Sequence, residues 1–314
     1  MSLGATLGTS LRVTLAHPST WALALATFLI RGGIVVIVAP IVALPSAVGL
    51  GNAIAPALTS IVFGTISFEL ILLGAAIVLA LLVWLITGGL FAAAAELESV
   101  ETVAAEEVVR GGRRRSTTAG RSRRARRILM ARLIGHVPTV IAAAWGGARL
   151  TTMAYRELTL PTDVASPIVL RVVRDAPEAV AVIVGAWFAG ELIGGLATRR
   201  IALASAGVFG GLRGALARMI RHPFRSAILM LVPVATFVLV ALPWAIASSL
   251  AWNGVRASLE GSDIVTSAAS MIVFLGLWGG GLVVLALLGA WRSAVWTVDS
   301  AGTFGVGTDR REGG

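Results

Sequence analysis

Apolar residues dominate six stretches of about twenty positions, and the charged residues gather between them. The stretches run from about Trp21 to Leu44, Phe68 to Ala95, Leu133 to Tyr155, Ala179 to Ala197, Ala227 to Ala247 and Ala269 to Trp291. A helix needs about 20 apolar residues to cross the hydrocarbon core of a bilayer. Only a helix or a closed barrel satisfies its own backbone there. The pattern therefore predicts an all-α fold, a polytopic membrane bundle of about six transmembrane helices. Residues 1–314 form a single membrane domain in this reading.

Between the spans the pattern changes period. Leu3, Leu7, Leu11 and Leu15 recur every four residues, one stripe of a helix. Leu212, Leu216 and Ile220 do the same, accompanied by Arg213, Arg218 and Arg221. Both segments read as amphipathic helices on the cytoplasmic membrane surface. Each ends at His-Pro, His17-Pro18 and His222-Pro223, and a span follows at the same offset. This predicts a parallel internal repeat, with halves of about 1–100 and 205–300, unlike the inverted repeats common in transporters.

Other features divide the chain further. Arg31-Gly32-Gly33 interrupts the first span, whose apolar run is too long for the core of a signal peptide. Pro45 to Thr65 reads as a surface hairpin or a re-entrant segment. The second span continues into an acidic, helix-favouring stretch with Glu96, Glu98, Glu101, Glu106 and Glu107. About 108–128 reads as a flexible, arginine-rich loop. The fourth span is expected to stop at Arg199-Arg200. Asn253, Arg256, Glu260 and Asp263 read as an outer loop, and a Gly-rich tail follows the sixth span.

Composition supports the membrane reading. The chain is 57% hydrophobic and 13% charged, against about 25% charged in soluble domains. All 26 basic residues are Arg, and the net charge is +10. In a membrane protein such loops are the positive-inside signal. They place both termini and the arginine-rich loop in the cytoplasm and the protein in the plasma membrane. No aromatic residue is interleaved with the arginines for base stacking, which argues against nucleic acid. The absence of Cys removes disulfides, thiolate metal sites and cysteine nucleophiles.

No phosphate-binding loop, zinc-binding HExxH, GxSxG elbow or EF-hand pattern is present. No cofactor, metal site or catalytic residue is expected. His17, His136 and His222 read as interfacial residues at helix breaks. Charges within spans carry more weight, because each costs about 2.5–3.5 kcal/mol at mid-membrane unless paired or hydrated. Arg31 lies roughly 16 Å and Glu191 roughly 12 Å from the cytoplasmic ends of their spans, which makes them an expected pair. Glu69 and Arg149 form a second expected pair. Either set can fix helix register or line a polar pathway. Gly190-xxx-Gly194 and Gly276-xxx-Gly280 permit close helix approach. Tyr155 to Pro161 reads as a boundary motif: an interfacial aromatic, an Arg156–Glu157 ion pair and a stop. Arg110, Arg113, Arg114, Arg115, Arg123, Arg124, Arg126 and Arg127 are expected to meet anionic lipid headgroups.

The pattern Leu7 to Pro18 and Leu212 to Pro223, each ahead of a span, resembles a group of uncharacterised bacterial six-span membrane proteins. These are related to the membrane domain of glycerophosphodiester phosphodiesterases. The resemblance implies a membrane module and brings no catalytic residues. The leading reading is a non-enzymatic scaffold or accessory subunit that meets anionic lipids or other membrane subunits. A permease-like protein using Arg31 and Glu191 is the alternative, and a membrane-embedded enzyme the third.

The orientation has a direct test on this Cys-free chain. A Cys placed at Ser116 should resist an impermeant thiol reagent in intact cells and react once the cells are lysed. Labelling in intact cells would invert the topology.

Overall fold

The computed structural model describes residues 2–41, 64, 67–108, 118–160, 163, 166, 168–261 and 263–303. Every regular element among the described residues is helical. In chain order these are α1 (Leu3–Ala16), α2 (Pro18–Phe28), a π-helical turn (Leu29–Gly33), α3 (Ile34–Val38), α4 (Phe68–Val108) and α5 (Thr118–Gly135). Then come α6 (Val137–Thr159), α7 (Ile168–Asp175), α8 (Pro177–Ala204), α9 (Val208–Arg221), α10 (Pro223–Glu260) and α11 (Ile264–Thr303). Among the described residues six stretches are long and apolar enough to cross a membrane: Pro18–Val38, Phe68–Glu106, Gly120–Thr159, Pro177–Ala204, Pro223–Glu260 and Ile264–Ala301. The chain is an all-α, multi-pass membrane protein.

Several helices extend beyond the apolar runs that predict them. Part of the arginine-rich segment is helix α5 rather than loop, while residues 109–117 lie outside the described residues. Arg121 and Arg124 each reach Glu101 of α4 at 3.0 Å. Ala125, Ile128 and Ala131 are buried on the same face, so tertiary packing overrides a composition that reads as solvated. The fourth span passes Arg199-Arg200 and ends at Ala204. Arg199 is buried there, donating to Gly195 O at 3.2 Å and lying over the Trp296 ring. Ser205 then turns left-handed at φ 56°, a common helix stop.

The expected outer loop after the fifth span is mostly helix, because α10 runs through Asn253 and Arg256 to Glu260. Exposed Asp263 opens α11. Its carboxylate accepts from the Thr266 hydroxyl and the Val265 N–H, which hold its carboxyl below the usual carboxylate range. Pro45 to Thr65, apart from Gly64, and the Gly-rich tail lie outside the described residues.

Three spans begin at one kind of elbow. His17 (φ −125°, ψ 77°), Ala176 (φ −137°, ψ 54°) and His222 (φ −135°, ψ 59°) each leave the helical region just before a Pro. The proline ring clashes with a helical residue ahead of it, yet fits the first turn of the next helix without losing a hydrogen bond. The bounds of α9 are those of α1 displaced by 205 residues. In α1, Thr6 and Ser10 are buried while Leu11 and Leu15 are exposed. In α9, Gly211 and Ala215 are buried while Leu216 and Ile220 are exposed. These four corresponding positions match in burial, small residues inward and large aliphatic ones outward, whereas Leu212 of the expected outward stripe is buried. That polarity suits helices lying on a lipid surface.

The chain forms two compact units whose boundaries fall inside α1, α4, α10 and α11, cutting across the repeat-like halves. One comprises Met1–Thr9, Val100–Leu231 and Val295–Gly314; the other comprises Ser10–Ser99 and Val232–Ala294. In the first, α8 is central, with α5, α6 and α9 packed on it. In the second, Ile37, Ala241, Trp244 and Leu285 form a core, with Phe28, Phe237 and Trp278 against it.

Tryptophans close the gaps in the backbone ladders. In hydrocarbon an unpaired carbonyl costs several kcal/mol. Pro233 lies inside α10 and has no N–H to offer Leu229; the Trp296 indole N–H donates to Leu229 O at 3.2 Å instead. At the end of α3, the Ile41 N–H turns to Val38 O, and Trp278 donates to Ile37 O at 3.2 Å. Trp84 donates to Ile30 O at 3.0 Å within the π-helical turn. There Gly32 holds φ 96°, a conformation that disfavours any other residue. Trp244 donates to Leu277 O at 3.2 Å, and a Cβ added to Gly281 would lie 1.8 Å from that indole nitrogen.

The Trp296–Pro233 relation predicts a coupled effect. Trp296→Phe should destabilise by about 1–3 kcal/mol through the stranded Leu229 carbonyl. In a Pro233→Ala background the new N–H can serve that carbonyl, and the cost of Trp296→Phe should shrink. Thermal unfolding of the detergent-solubilised variants measures both; equal costs in the two backgrounds would refute the link.

Candidate functional site

The charges inside the spans are paired, but not with the expected partners. Arg31 sits in the π-helical turn and donates to Glu96 Oε2 at 2.8 Å; the side chains are 31% and 7% exposed. Glu191 on α8 receives Arg132 Nη1 at 3.4 Å and faces His136 Nε2 at 3.3 Å. Arg31 thus meets Glu96, and Glu191 meets Arg132 and His136. Arg149 lies 3.5 Å from Glu178, both half exposed, and Glu69 is exposed at the start of α4, so the second expected pair is likewise replaced. Glu96, Arg132 and Glu178 stand just beyond the ends of the apolar runs, where Arg31 and Arg149 extend to the carboxylates and Arg132 extends to Glu191.

The Glu191 site depends on close backbone approach. A Cβ on Gly190 would come within 3.1 Å of Gly135 O and 3.0 Å of Thr139 Oγ1, and Thr139 donates to Ala186 O at 3.0 Å. The α5–α6 junction therefore rests on the Gly190-xxx-Gly194 face of α8. His136 lies at that junction, its Nδ1 2.9 Å from Arg132 O, which directs Nε2 to Glu191. Gly276 and Gly280 face open space; the close contact on α11 is at Gly281.

Two further pairs fix ends of spans. Glu157, 1% exposed, accepts from Arg171 Nε at 2.7 Å, not from Arg156 as the boundary motif suggested. Arg171 also donates to Asp163 O and Ser166 O. It is buried on α7 while Val169 and Leu170 are exposed. Asp299 on α11, nearly buried, receives both Arg218 of α9 and Arg225 of α10.

Among the described residues no three His, Asp or Glu converge as metal ligands. The buried carboxylates of Glu96, Glu157 and Asp299 are each engaged by arginine.

A different face remains open. On α5, Arg123 and Arg126 are exposed and Arg127 is half-buried. None of the three has an ion-pair partner among the described residues. With Met130 and Val208 they line an open depression of about 380 Å³. Arg124 does not belong to this face: it is turned to Glu101 and donates to Ala202 O at 3.3 Å. Arg110, Arg113, Arg114 and Arg115 lie outside the described residues. The division of α5 into two faces was available in the sequence as Ala125, Ile128, Ala131 and Gly135 at helical spacing, hidden by the density of arginine around them.

No family model, curated protein or solved structure matches the chain. Fold and site together define the class: a six-span α-helical membrane protein with a basic depression beside α5.

The Arg31–Glu96 pair gives a clean test of how the buried charges act. Arg31→Met and Glu96→Met should each destabilise, by up to about 3 kcal/mol, since each strands a charge. The double replacement should recover most of the loss in detergent melting experiments. A double variant no better than the worse single one would show that the two charges do not answer each other.

Proposed function

We propose that the chain is a non-enzymatic integral membrane module that holds anionic lipid headgroups on the arginine face of α5. In this reading the face and both termini are cytoplasmic, and the protein acts as a scaffold or accessory subunit in the plasma membrane. The observation that carries it is the depression lined by Arg123, Arg126, Arg127, Met130 and Val208. Guanidinium groups match phosphate oxygens in bidentate geometry. Each basic residue near an anionic surface contributes about 1 kcal/mol. The outward Leu216 and Ile220 of α9, in the same unit as α5, would seat this face against lipid.

A permease-like role is the second reading, favoured by one feature. Irregular backbone with a charge at span depth, as at Arg31-Gly32, is a hallmark of transporter binding sites. Its pairing with Glu96 weighs toward a structural use.

The lipid reading is tested by native mass spectrometry of the full chain in micelles doped with phosphatidylglycerol or phosphatidylcholine. Wild type should retain the anionic lipid preferentially. Combined Arg123→Gln, Arg126→Gln and Arg127→Gln should weaken retention by up to about 100-fold with the melting temperature unchanged. Equal retention of the two lipids by wild type would sink the reading.

A further inference from the structure

We infer that the depression between α5 and α9 selects a lipid headgroup bearing two phosphates, a deepening that rests on the anionic-lipid reading above. Three observations converge on it. The first is charge. Arg123, Arg126 and Arg127 bring three guanidinium groups to one arc of α5, and the nearby carboxylate of Glu101 is already held on the other face by Arg121 and Arg124. A single phosphodiester carries one negative charge and would leave two of the three cations facing each other. Two phosphodiesters come closer to balance.

The second is geometry. Arg123 and Arg127 are one turn apart, about 6 Å along the helix axis, and Arg126 flanks them. Each guanidinium offers five donors in a planar fork. The arc can therefore engage two phosphates joined by a short bridge, with one fork turned to each.

The third lies on the opposite wall. Val208 is the first residue of α9, and its N-cap, Gly207, supplies no side-chain hydrogen bond. Val208 lines the depression, so the first turn of this 14-residue helix adjoins the arginines, and a helix N-terminus favours an anion. Met130 and Val208 add apolar contact suited to the glycerol and acyl portions of a lipid rather than to a free anion. Basic pockets between helices are a known setting for multiply phosphorylated headgroups.

The experiment uses the full chain in mixed micelles, with retained lipid read by native mass spectrometry. The competitors are a four-chain lipid with two glycerol-linked phosphodiesters, a one-phosphodiester lipid at twice its concentration to equalise charge, and phosphatidylcholine. Inorganic pyrophosphate is the soluble comparison. The two-phosphate lipid should be retained at least tenfold over the one-phosphate lipid. Gly207→Asp, which caps α9 and adds a negative charge there, should reduce that preference at a melting temperature no lower than that of wild type. Equal retention of the two anionic lipids overturns the inference and leaves the anionic-lipid reading standing. Retention of neither above phosphatidylcholine overturns both. Pyrophosphate binding as tight as the two-phosphate lipid would assign the site to a soluble diphosphate and overturn the lipid.

Discussion

The structure depends on one obligation: in hydrocarbon, every backbone carbonyl needs a donor. A straight helix meets it alone, but this chain breaks its helices repeatedly. Pro233 deletes a donor inside α10, the π-helical turn interrupts the first span, and α3 tightens at its end. At each of these places an indole from a distant segment supplies the missing N–H. Trp is suited to this use because its ring is content among apolar side chains while its single donor demands a partner. The breaks and the tryptophans are thus one device, and each fixes the rotation of one helix against another.

The same economy governs charge. With arginine as the sole long cation in the chain, every paired carboxylate meets a guanidinium or an imidazole. Asp299 takes two arginines from the α9–α10 elbow, and Glu157 takes one that also ties down the carbonyls of Asp163 and Ser166. These pairs stand mainly at ends of spans, where a long side chain can bring its charge to a partner without crossing the membrane core. Buried ion pairs are weak contributors to net stability, but unmaking one is expensive. A span in the wrong register would strand such a charge, which is the costly outcome.

The fold class was legible because hydropathy over twenty residues is a strong signal, and the elbows were legible because His17-Pro18 and His222-Pro223 break helices through local sterics. The partners of Arg31 and Glu191 were not. Which carboxylate an arginine meets depends on helix rotation and on charges one turn past a span, such as Glu96, and neither is a property of one segment. Helix α5 was missed for a related reason. Its arginines mask an inward stripe whose value comes only from the helices it packs on. The face of Gly190-xxx-Gly194 was readable as a place of close approach, whereas Gly276-xxx-Gly280 had the same spacing and no neighbour. Spacing proposes a contact, and the tertiary structure decides it.

The arginine face of α5 follows from this arrangement. A helix with arginines around its circumference can pack only if one side is neutralised. Glu101 does that for Arg121 and Arg124, letting Ala125, Ile128 and Ala131 bury against the rest of their unit. The acid is consumed on the packed side, so Arg123, Arg126 and Arg127 are left on the other without an ion-pair partner among the described residues. Next to them, α9 presents its uncapped N-terminus, because Gly207 offers no side chain to close it. Two features that would each be ordinary on a soluble surface thus meet in one concavity, on a helix whose Leu216 and Ile220 face outward. The packing that folds α5 and the basic depression are consequences of the same division of its arginines.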